Sequence, residues 1–561
     1  MQQGFLPLRK LTNQKKTTMA NAFFRVPKAV NEPYLSYAPG TPERAALKDA
    51  LAEAKSKQIE IPMTINGEKI MEGEKISMHP PHELAHTLGH YYKGGAKHVN
   101  QAIDAALAAK AEWEAMPWQD RAAIFLRAAD LLCGPYRYKM NAATMLCQSK
   151  NPWQAEIESA GELADFWRFG AEQMTQMYEI QPFSPKGVWN RMEYRPLEGF
   201  VFAITPFNFT AIAGNLPSAP AMLGNTVVWK PAESQIYSAV IIMDILEEAG
   251  LPKGVINMVI ADGPVAGDII FKHKDFAGLH FTGSTKVFQH LWSEIGANIS
   301  NYRSYPRIVG ETGGKDFVVA HPTADVPRLA TALVRGAFEY QGQKCSAASR
   351  SYIPRSIWPA LKELVLKDVA TLKVGPVEDF STFVNAVIDE RAFDKIANYI
   401  EVAKNSDESE ILIGGGYDKS KGYFIEPTVV LTTNPNHTLM EEEIFGPVLT
   451  IYVYEDEDFE ATLDLVDTTS PYALTGAIFA RERGVIKHMS DRLRHSAGNF
   501  YINDKPTGAI VGQQPFGGAR GSGTNDKAGA VLNLFRWVSA RAIKENFAAP
   551  TDYRYPFMGE E

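Results

Sequence analysis

One cysteine of this chain stands in a setting that favours reactivity over packing. Cys345 lies in the segment Gly342 to Ser346, between a predicted helix (Thr331 to Tyr340) and a predicted strand (Arg350 to Pro354). The segment is polar and broken by glycine, unlike the apolar surroundings in which free cysteine packs as a small hydrophobe. A thiol that is accessible and close to positive charge can ionise and act as a nucleophile.

An acid and an amide elsewhere in the chain could complete that chemistry. Glu311 stands on a glycine-rich loop that ends at Lys315, and a carboxylate beside an apolar cleft can act as a general base for water. Asn208 follows a predicted strand, Phe200 to Ile204. Its side-chain amide can donate to a developing oxyanion, or it can cap the helix that follows.

Two strand ends carry groups that suit a nucleotide, although no G-x-G-x-x-G follows any predicted strand. Lys230 and Glu233 follow the strand Thr226 to Trp229, where the carboxylate either accepts from ribose hydroxyls and repels a 2′-phosphate, or is simply solvated. Gly283 and Ser284 precede a helix whose amino end can hold a phosphate.

The sequence His82-Glu-Leu-Ala-His86 matches the HExxH pattern of zinc proteases, which needs both histidines one turn apart on a helix. Pro80 and Pro81 come just before it, and glycines follow, so the pattern favours a β-hairpin loop instead. A zinc hydrolase that uses His82 and His86 is kept as an alternative.

Strands alternate with helices from Glu198 onward, and a second alternating series begins at Phe317. Such alternation predicts right-handed βαβ units on parallel sheets, with ligands at the carboxyl ends of the strands. The predicted fold class is therefore α/β, with two doubly wound parallel-sheet domains that meet near Gly310 to Lys315.

Composition narrows the classes of partner. A formal net charge of −8 without a long basic block argues against nucleic acid or a membrane and leaves a small molecule as the expected ligand. Three cysteines make no disulfide framework and suit a reducing compartment, and Cys133 and Cys147 lie in apolar helical contexts expected in the core.

The first 30 residues set the expected location. They are rich in lysine and arginine and contain no acid, as in an organellar transit peptide, but Pro7 and the polar run Thr12 to Thr18 give a poor amphipathic helix. Met19 could be the true start. We therefore expect a leader or disordered extension over residues 1–30 and a cytoplasmic protein, or a mitochondrial matrix protein if those residues are a transit peptide.

Several short motifs, taken in order, identify a family resemblance that covers the chain from about Asn31 to its end. The sequence resembles the aldehyde dehydrogenase superfamily in Pro-Phe-Asn208-Phe, Lys230-Pro-Ala-Glu233, Phe-Thr-Gly283-Ser284, Glu311-x-Gly-Gly-Lys, Gly-Gln-Lys-Cys345 and Glu443-Ile-Phe445-Gly-Pro. Phe338 to Ser346, Phe500 to Lys505 and Val511 to Arg520 are similar to the branch that acts on L-glutamate γ-semialdehyde, the 1-pyrroline-5-carboxylate dehydrogenases.

The resemblance implies a role for each motif residue. Cys345 attacks the aldehyde carbon, Asn208 and the Cys345 backbone N–H hold the oxyanion, hydride passes to NAD⁺, and Glu311 activates the water that hydrolyses the thioester to glutamate. The implied NAD contacts are Lys230 and Glu233 at the adenosine ribose, Gly283 and Ser284 at the pyrophosphate, and Glu443 and Phe445 at the nicotinamide riboside.

The resemblance also implies the substrate pocket. The α-carboxylate is bound by Ser346 and the backbone at Gly508 and Ala509, Glu162 meets the ammonium, and Phe209 and Phe516 enclose the aliphatic stem. Ala509 departs from the serine of related sequences, so one hydroxyl donor is missing, at a cost of about 1 kcal/mol.

The implied domain organisation is an NAD-binding domain from residues 31–180 and 196–313 and a catalytic domain from residues 314–535. Residues 181–195 and 536–561 are predicted to be oligomerisation arms that pair with another subunit, giving a homodimer or a larger homo-oligomer.

Overall fold

Two seven-stranded sheets organise the protein, whose computed structural model describes residues 22–560. The first sheet contains β2 (Met63–Ile65), β3 (Glu68–Ile70), β7 (Phe200–Ile204), β8 (Thr226–Lys230), β9 (Ile256–Met258), β10 (Phe276–Thr282) and β11 (Arg307–Glu311). Its spatial order is β11-β10-β7-β8-β9-β2-β3. The five strands from β11 to β9 are parallel, whereas β2 pairs antiparallel with β9 on one side and with β3 on the other.

The second sheet follows the same plan. It contains β12 (Asp316–Ala320), β13 (Ala348–Pro354), β14 (Ser409–Ile413), β17 (Thr428–Thr432), β18 (Val448–Tyr454), β20 (Thr475–Phe479) and β21 (Asn499–Ile502). The order is β14-β17-β18-β13-β12-β20-β21, with only β14 antiparallel to its neighbour. The predicted fold class of two doubly wound α/β sheets is confirmed.

Helices cover both sheets. Those of the first half are α1 (Pro42–Ser56), α2 (Ala96–Ala115), α3 (Trp118–Cys133), α4 (Arg137–Gln148), α5 (Pro152–Ala155), α6 (Glu162–Tyr178), α7 (Thr210–Met222), α8 (Ile236–Ala249), α9 (Gly263–Ile270) and α10 (Thr285–Ala297). Those of the second half are α11 (Val326–Phe338), α12 (Trp358–Ala370), α13 (Glu390–Lys404), α14 (Thr438–Glu441), α15 (Phe459–Thr468), α16 (Arg483–Arg492) and α17 (Val531–Leu534). Within residues 22–560, no helix combines the length and the apolar character needed to cross a bilayer.

Smaller sheets complete the chain. They contain β1 (Ile59–Ile61), β4 (Glu74–Met78) and β5 (Gly89–Lys93); β15 (Tyr417–Asp418) with β16 (Phe424–Ile425); β19 (Tyr472–Ala473) with β22 (Ala519–Arg520); and β6 (Val188–Pro196) with β23 (Val538–Asn546). The two segments expected to pair with another subunit thus pair with each other, antiparallel over the nine residues of each strand.

Two predicted elements need correction. The helix predicted to reach Tyr340 ends at Phe338. The alternating pattern also predicts a strand from Ala473 to Ala480, but this stretch is broken, because β19 pairs with β22 outside the large sheet. Six strands of the two large sheets were not predicted, since such short segments give little periodicity: β2, β3, β11, β14, β17 and β21. The strands β7 and β8, by contrast, are nearly continuous buried apolar runs, as expected for a parallel sheet covered on both faces.

The sheet topology places the ligand crevice. Strand order in the first sheet reverses between β7 and β10, and Asn208 and Ser284 follow the carboxyl ends of these two strands. In the second sheet, Cys345 comes just before β13, at the amino end of that strand. The chain crosses between the sheets through Thr312 to Lys315, which joins β11 to β12.

Candidate active site

A cavity of about 290 Å³ lies where the carboxyl ends of the first sheet face the cysteine segment. Among the predicted site residues, its lining includes Glu162, Phe209, Glu311, Cys345, Ser346, Gly508, Ala509 and Phe516. These residues are far apart in sequence, so folding assembles all of the predicted substrate contacts, together with the thiol and the acid, around one cavity.

The segment before Cys345 is held in a conformation that helices do not adopt. Tyr340 (φ 51°) and Gln341 (φ 43°) are both left-handed, which is uncommon for residues with side chains and costs about 1–3 kcal/mol each. Gly342 is also left-handed, and a Cβ there would lie 2.2 Å from the Gly446 carbonyl oxygen. The Gln341 amide donates to the carbonyls of Ser149 (2.9 Å) and Ala386 (2.8 Å), which fixes the turn that presents Cys345.

Burial keeps the thiol neutral in the free protein. Desolvation raises the pKa of Cys345 well above its ordinary value, and the nearby carboxyl groups of Asp316, Glu443 and Glu311 raise it further. The thiolate therefore forms only when a base removes the proton or when bound ligands bring positive charge into the cavity.

Glu311 ends β11 and points into the same cavity. One of its carboxylate oxygens accepts a hydrogen bond from the backbone N–H of Gly518 at 3.1 Å. Burial raises the pKa of Glu311 to about 8, so the group is poised to take up and release a proton near neutral pH.

The amide of Asn208 points toward the cysteine segment instead of capping a helix. It is 4% exposed, and its Nδ2 donates to the Gln343 carbonyl oxygen at 3.1 Å, two residues before Cys345. The following helix, α7, has Phe209 at its N-cap and no side-chain cap. Of the two interpretations of Asn208, this geometry favours a donor beside the thiol.

A buried network of charges forms one wall of the cavity, and the sequence analysis missed most of it. Lys150 has no exposed surface, pairs with Glu158, and lies over the rings of Phe209 (4.6 Å) and Tyr340 (4.2 Å). Glu158 also accepts from Lys344 at 2.7 Å. A single turn of π-helix, Glu156–Gly161, precedes α6, and such bulges are frequent at functional sites.

Glu162 begins α6 beside this network. Burial and, next, the charge of Glu158 raise the pKa of its carboxyl to about 8. A cationic ligand placed between the two carboxyl groups would stabilise the ionised form of Glu162.

Another part of the cavity lining offers hydroxyl and backbone donors. The hydroxyls of Ser346 and Thr507 are hydrogen-bonded to each other at 2.8 Å, and Gly508 is left-handed (φ 94°). Lys505 Nζ donates to the Thr507 carbonyl at 3.0 Å. Thr507 and Lys505 were not predicted, because only the fold brings them beside Ser346.

The predicted ribose pair lies in a group of alternating charges. Glu233 accepts from the Tyr91 hydroxyl at 2.5 Å and lies 3.0 Å from Lys93 Nζ, which also contacts Asp262 at 2.6 Å. Lys230 ends β8, and burial lowers the pKa of its ammonium. Tyr91, Lys93 and Asp262 were not singled out from the sequence, because they belong to β5 and to the loop before α9.

The remaining predicted cofactor residues lie at the junction of the sheets. Ser284 caps α10 through an accepted hydrogen bond from the Val287 N–H at 3.4 Å, and Gly283 stands directly before it. Glu443 accepts from the Gly314 N–H at 2.9 Å. Phe445 is left-handed (φ 61°), which is a genuine outlier for a bulky residue and marks a constrained position.

The HExxH segment does not form a zinc-protease site. Residues 79–88 form turns between β4 and β5, which confirms the predicted hairpin and leaves His82 and His86 on no common helix. His82 Nε2 lies 3.1 Å from a Glu378 oxygen. Lys55 Nζ contacts Glu83 at 2.5 Å and Glu378 at 2.7 Å, so both carboxylates beside His82 are already paired with an ammonium group.

The cysteine assignments divide cleanly. Cys147 is buried, as predicted, whereas Cys133 is only partly buried, with its Sγ 3.9 Å from the Ala160 carbonyl. Burial raises the pKa of both thiols, so neither is activated.

Comparison with known proteins agrees with this geometry. A relative from Agaricus bisporus named delta-1-pyrroline-5-carboxylate dehydrogenase is 54% identical over 95% of this chain and 98% of that protein. One from Dictyostelium discoideum, named mitochondrial delta-1-pyrroline-5-carboxylate dehydrogenase, is 49% identical over 98% of this chain and 99% of that protein. A crystal structure of the Mycobacterium tuberculosis delta-pyrroline-5-carboxylate dehydrogenase bound with NAD matches with a TM-score of 0.93 and 53% identity, covering 96% of this chain and all of that one. Residues 70–539 match the aldehyde dehydrogenase family, and the chain belongs to that family.

Proposed function

We propose that this protein is an NAD-dependent dehydrogenase that oxidises L-glutamate γ-semialdehyde, formed from 1-pyrroline-5-carboxylate, to L-glutamate in the second step of proline catabolism. The observation that carries the proposal is the cavity, whose lining joins a thiol and an acid to hydroxyl and backbone donors and to buried carboxyl groups. The names of relatives at 54% and 49% identity support it.

Residues at the carboxyl edge of the first sheet and at its junction with the second sheet fit a dinucleotide. Glu233 suits ribose hydroxyls, the amino end of α10 at Ser284 suits a diphosphate, and Glu443 suits the second ribose. Lys230, Gly283 and Phe445 complete the proposed cofactor contacts. The chemistry that NAD⁺ supplies when bound is acceptance of the hydride from the aldehyde carbon. The NAD-bound relative from Mycobacterium tuberculosis supports this cofactor.

The first chemical step belongs to Cys345. Its thiolate attacks the aldehyde carbon, and the carbonyl oxygen becomes an oxyanion held by the Asn208 amide and the Cys345 backbone N–H. Loss of hydride leaves the acyl group on Cys345 as a thioester.

Glu311 serves the second step. Its carboxylate takes a proton from water, the resulting hydroxide adds to the thioester carbon, and the carbon–sulfur bond breaks. The product is a carboxylate, and the thiolate of Cys345 is restored.

The donors and acids of the cavity suit the zwitterionic part of the substrate. Ser346 and the backbone at Gly508 and Ala509 offer donors to an α-carboxylate, while Glu162 suits the ammonium group on the same carbon. Phe209 and Phe516 also line the cavity and suit the aliphatic stem, which connects that carbon to the aldehyde. Ala509 brings no hydroxyl, but the Ser346–Thr507 pair beside it keeps side-chain donors at this end.

The decisive experiment is NADH formation by the purified protein with pyrroline-5-carboxylate and NAD⁺. We expect turnover in the unmodified protein, and none in Cys345→Ala, which should still bind NAD⁺ by calorimetry because Cys345 is not among the proposed cofactor contacts. Turnover by Cys345→Ala would contradict the mechanism. A higher kcat/KM for another amino or aliphatic aldehyde in a small panel would favour the second candidate function, a dehydrogenase of that aldehyde.

Oligomerisation is proposed to use the ribbon formed by β6 and β23. Among residues 22–560, each of the two strands has one backbone edge without a partner strand, and Phe183, Trp189 and Phe547 near them are exposed. Unpaired edges and exposed aromatic side chains suit a second copy of this chain. Removal of residues 536–561 is expected to lower the molar mass measured by light scattering.

Location is proposed from the relatives, because the predicted leader falls largely on residues 1–21, outside the described residues. Curated relatives from Dictyostelium discoideum, Emericella nidulans and Danio rerio are named mitochondrial, which favours the mitochondrial matrix over the cytoplasm. Fluorescent fusions with and without residues 1–30 distinguish the two.

A further inference from the structure

Lys527 holds together the loop behind Glu311, and none of the roles above uses it. Its Nζ donates to the Gly498 carbonyl (2.8 Å), the Gly517 carbonyl (3.0 Å) and Asn499 Oδ1 (3.4 Å). All three acceptors are neutral, so no carboxylate in this set compensates the positive charge.

These hydrogen bonds meet at the peptide that contacts Glu311. The Gly517 N–H donates to Asn499 Oδ1 at 3.1 Å, and the next N–H, that of Gly518, donates to a Glu311 oxygen at 3.1 Å. Gly498 approaches so closely that a Cβ on it would lie 2.0 Å from the Gly517 oxygen. Lys527 therefore fixes the Gly517 carbonyl, which belongs to the same peptide group as the Gly518 N–H that orients the Glu311 carboxylate.

The backbone around Lys527 is built to aim its side chain inward. Lys527 (φ 55°) and Asn525 (φ 56°) are both left-handed, a conformation that the surroundings must impose on residues with side chains. Phe516 and Ala528 close this loop with reciprocal backbone hydrogen bonds of 3.0 and 2.7 Å, and both line the cavity. The loop therefore joins the wall of the cavity to the support of its acid.

Charge reinforces the contact. Burial is the main influence on Glu311 and raises its pKa, while the Gly518 N–H and then the charge of Lys527 lower it, and Asp526 raises it. The Cys345 thiol also faces Glu311, and the charge of Glu311 raises the pKa of that thiol in turn.

We propose that Lys527 is a positioning residue for thioester hydrolysis, because its ammonium clamps the Gly517–Gly518 peptide that holds Glu311 in place and keeps a positive charge near the base. The inference rests on the proposed function, since it needs Glu311 to act as the base. It predicts that Lys527 matters for hydrolysis and not for hydride transfer, which precedes hydrolysis.

The test compares Lys527→Met, Lys527→Gln and Lys527→Arg with the unmodified protein, using pyrroline-5-carboxylate and NAD⁺ under rapid mixing from pH 6 to 10. In Lys527→Met we expect a full first turnover of NADH, a steady rate at pH 7 lowered about tenfold, and an apparent pKa of hydrolysis raised by about one, the low end for a neighbouring charge. Lys527→Arg keeps the cation and should restore most of the rate. Lys487→Met, on the exposed face of α16, is the matched control.

The outcomes separate the two proposals. No NADH from the unmodified protein would overturn the proposed function and this inference with it. If the unmodified protein turns over normally, two results in Lys527→Met would overturn this inference alone. One is an unshifted pH profile of hydrolysis, and the other is an equal loss in the first turnover and in the steady rate. If Lys527→Met does not fold, Lys527→Gln replaces it, because glutamine keeps a hydrogen-bond donor of similar reach without the charge. The same two measurements, the pH profile of hydrolysis and the ratio of first turnover to steady rate, then apply to Lys527→Gln.

Discussion

The burial of Glu311 gives a quantitative prediction for Glu311→Gln, which keeps the shape of the side chain and removes its titration. A pKa of about 8 means that roughly one-tenth of Glu311 is ionised at pH 7 and roughly nine-tenths at pH 9. If Glu311 is the base for hydrolysis, thioester hydrolysis in the unmodified protein should rise about ninefold over that range.

The assay separates the two chemical steps. In Glu311→Gln, rapid mixing should show one NADH per active site, because hydride transfer does not need the carboxylate. The steady rate should then fall by about 10²–10⁴, the usual contribution of a general base, and lose its pH dependence.

The burial of Glu311 also predicts that Glu311→Gln is more stable than the unmodified protein at high pH. Between pH 4.5 and about 8, Glu311 is protonated in the folded protein and ionised in the unfolded chain, so the free energy of unfolding falls as the pH rises through this window. At about 1.36 kcal/mol for each unit of pKa difference, the upper bound of the loss is about 5 kcal/mol. Glu311→Gln should recover part of it, as a higher urea midpoint at pH 9 but not at pH 4.

Two results would refute this reasoning. One is a steady rate in Glu311→Gln within threefold of the unmodified protein, and the other is an equal urea midpoint for both proteins at pH 9. Glu363→Gln, at an exposed position of α12, is the control for removal of a carboxylate and should change neither quantity.

Two further predictions concern the cavity wall and the ribose pair. Lys150→Met should lower the free energy of unfolding by about 3 kcal/mol, the low end for breaking a buried pair, because Glu158 keeps Lys344 as a second partner; an unchanged urea midpoint would contradict it, and Lys487→Met is the control. Glu233→Gln should raise kcat/KM with NADP⁺ relative to NAD⁺ by about tenfold, since Lys93 and Asp262 then compensate each other beside a 2′-phosphate; equal ratios in initial-rate assays would show that Glu233 does not select the cofactor.

The sequence predicted those parts of the site that depend on local pattern. The strand β7 was predicted to the residue, because a continuous apolar run bounded by turn residues identifies a buried parallel strand. Asn208 and Ser284 then followed from their places after a strand and before a helix, and Glu311 from its glycine-rich loop. The resemblance to a known family grouped these residues and supplied the others.

Only the tertiary structure determined the burial, protonation and hydrogen bonding of these residues. Lys150 is a charged residue, and nothing in the sequence indicates that its side chain lies wholly buried between Glu158 and two aromatic rings. The left-handed turn at Tyr340 and Gln341 depends on the carbonyls of Ser149 and Ala386, and the clamp made by Lys527 depends on Gly498 and Gly517. Sequence by itself therefore determined the motif residues of the site, because local pattern and residue type carry that information, whereas the charged and polar residues around them became visible only in the structure. Their protonation, orientation and support came from contacts between distant segments, because burial and close backbone approach exist only once both sheets are in place.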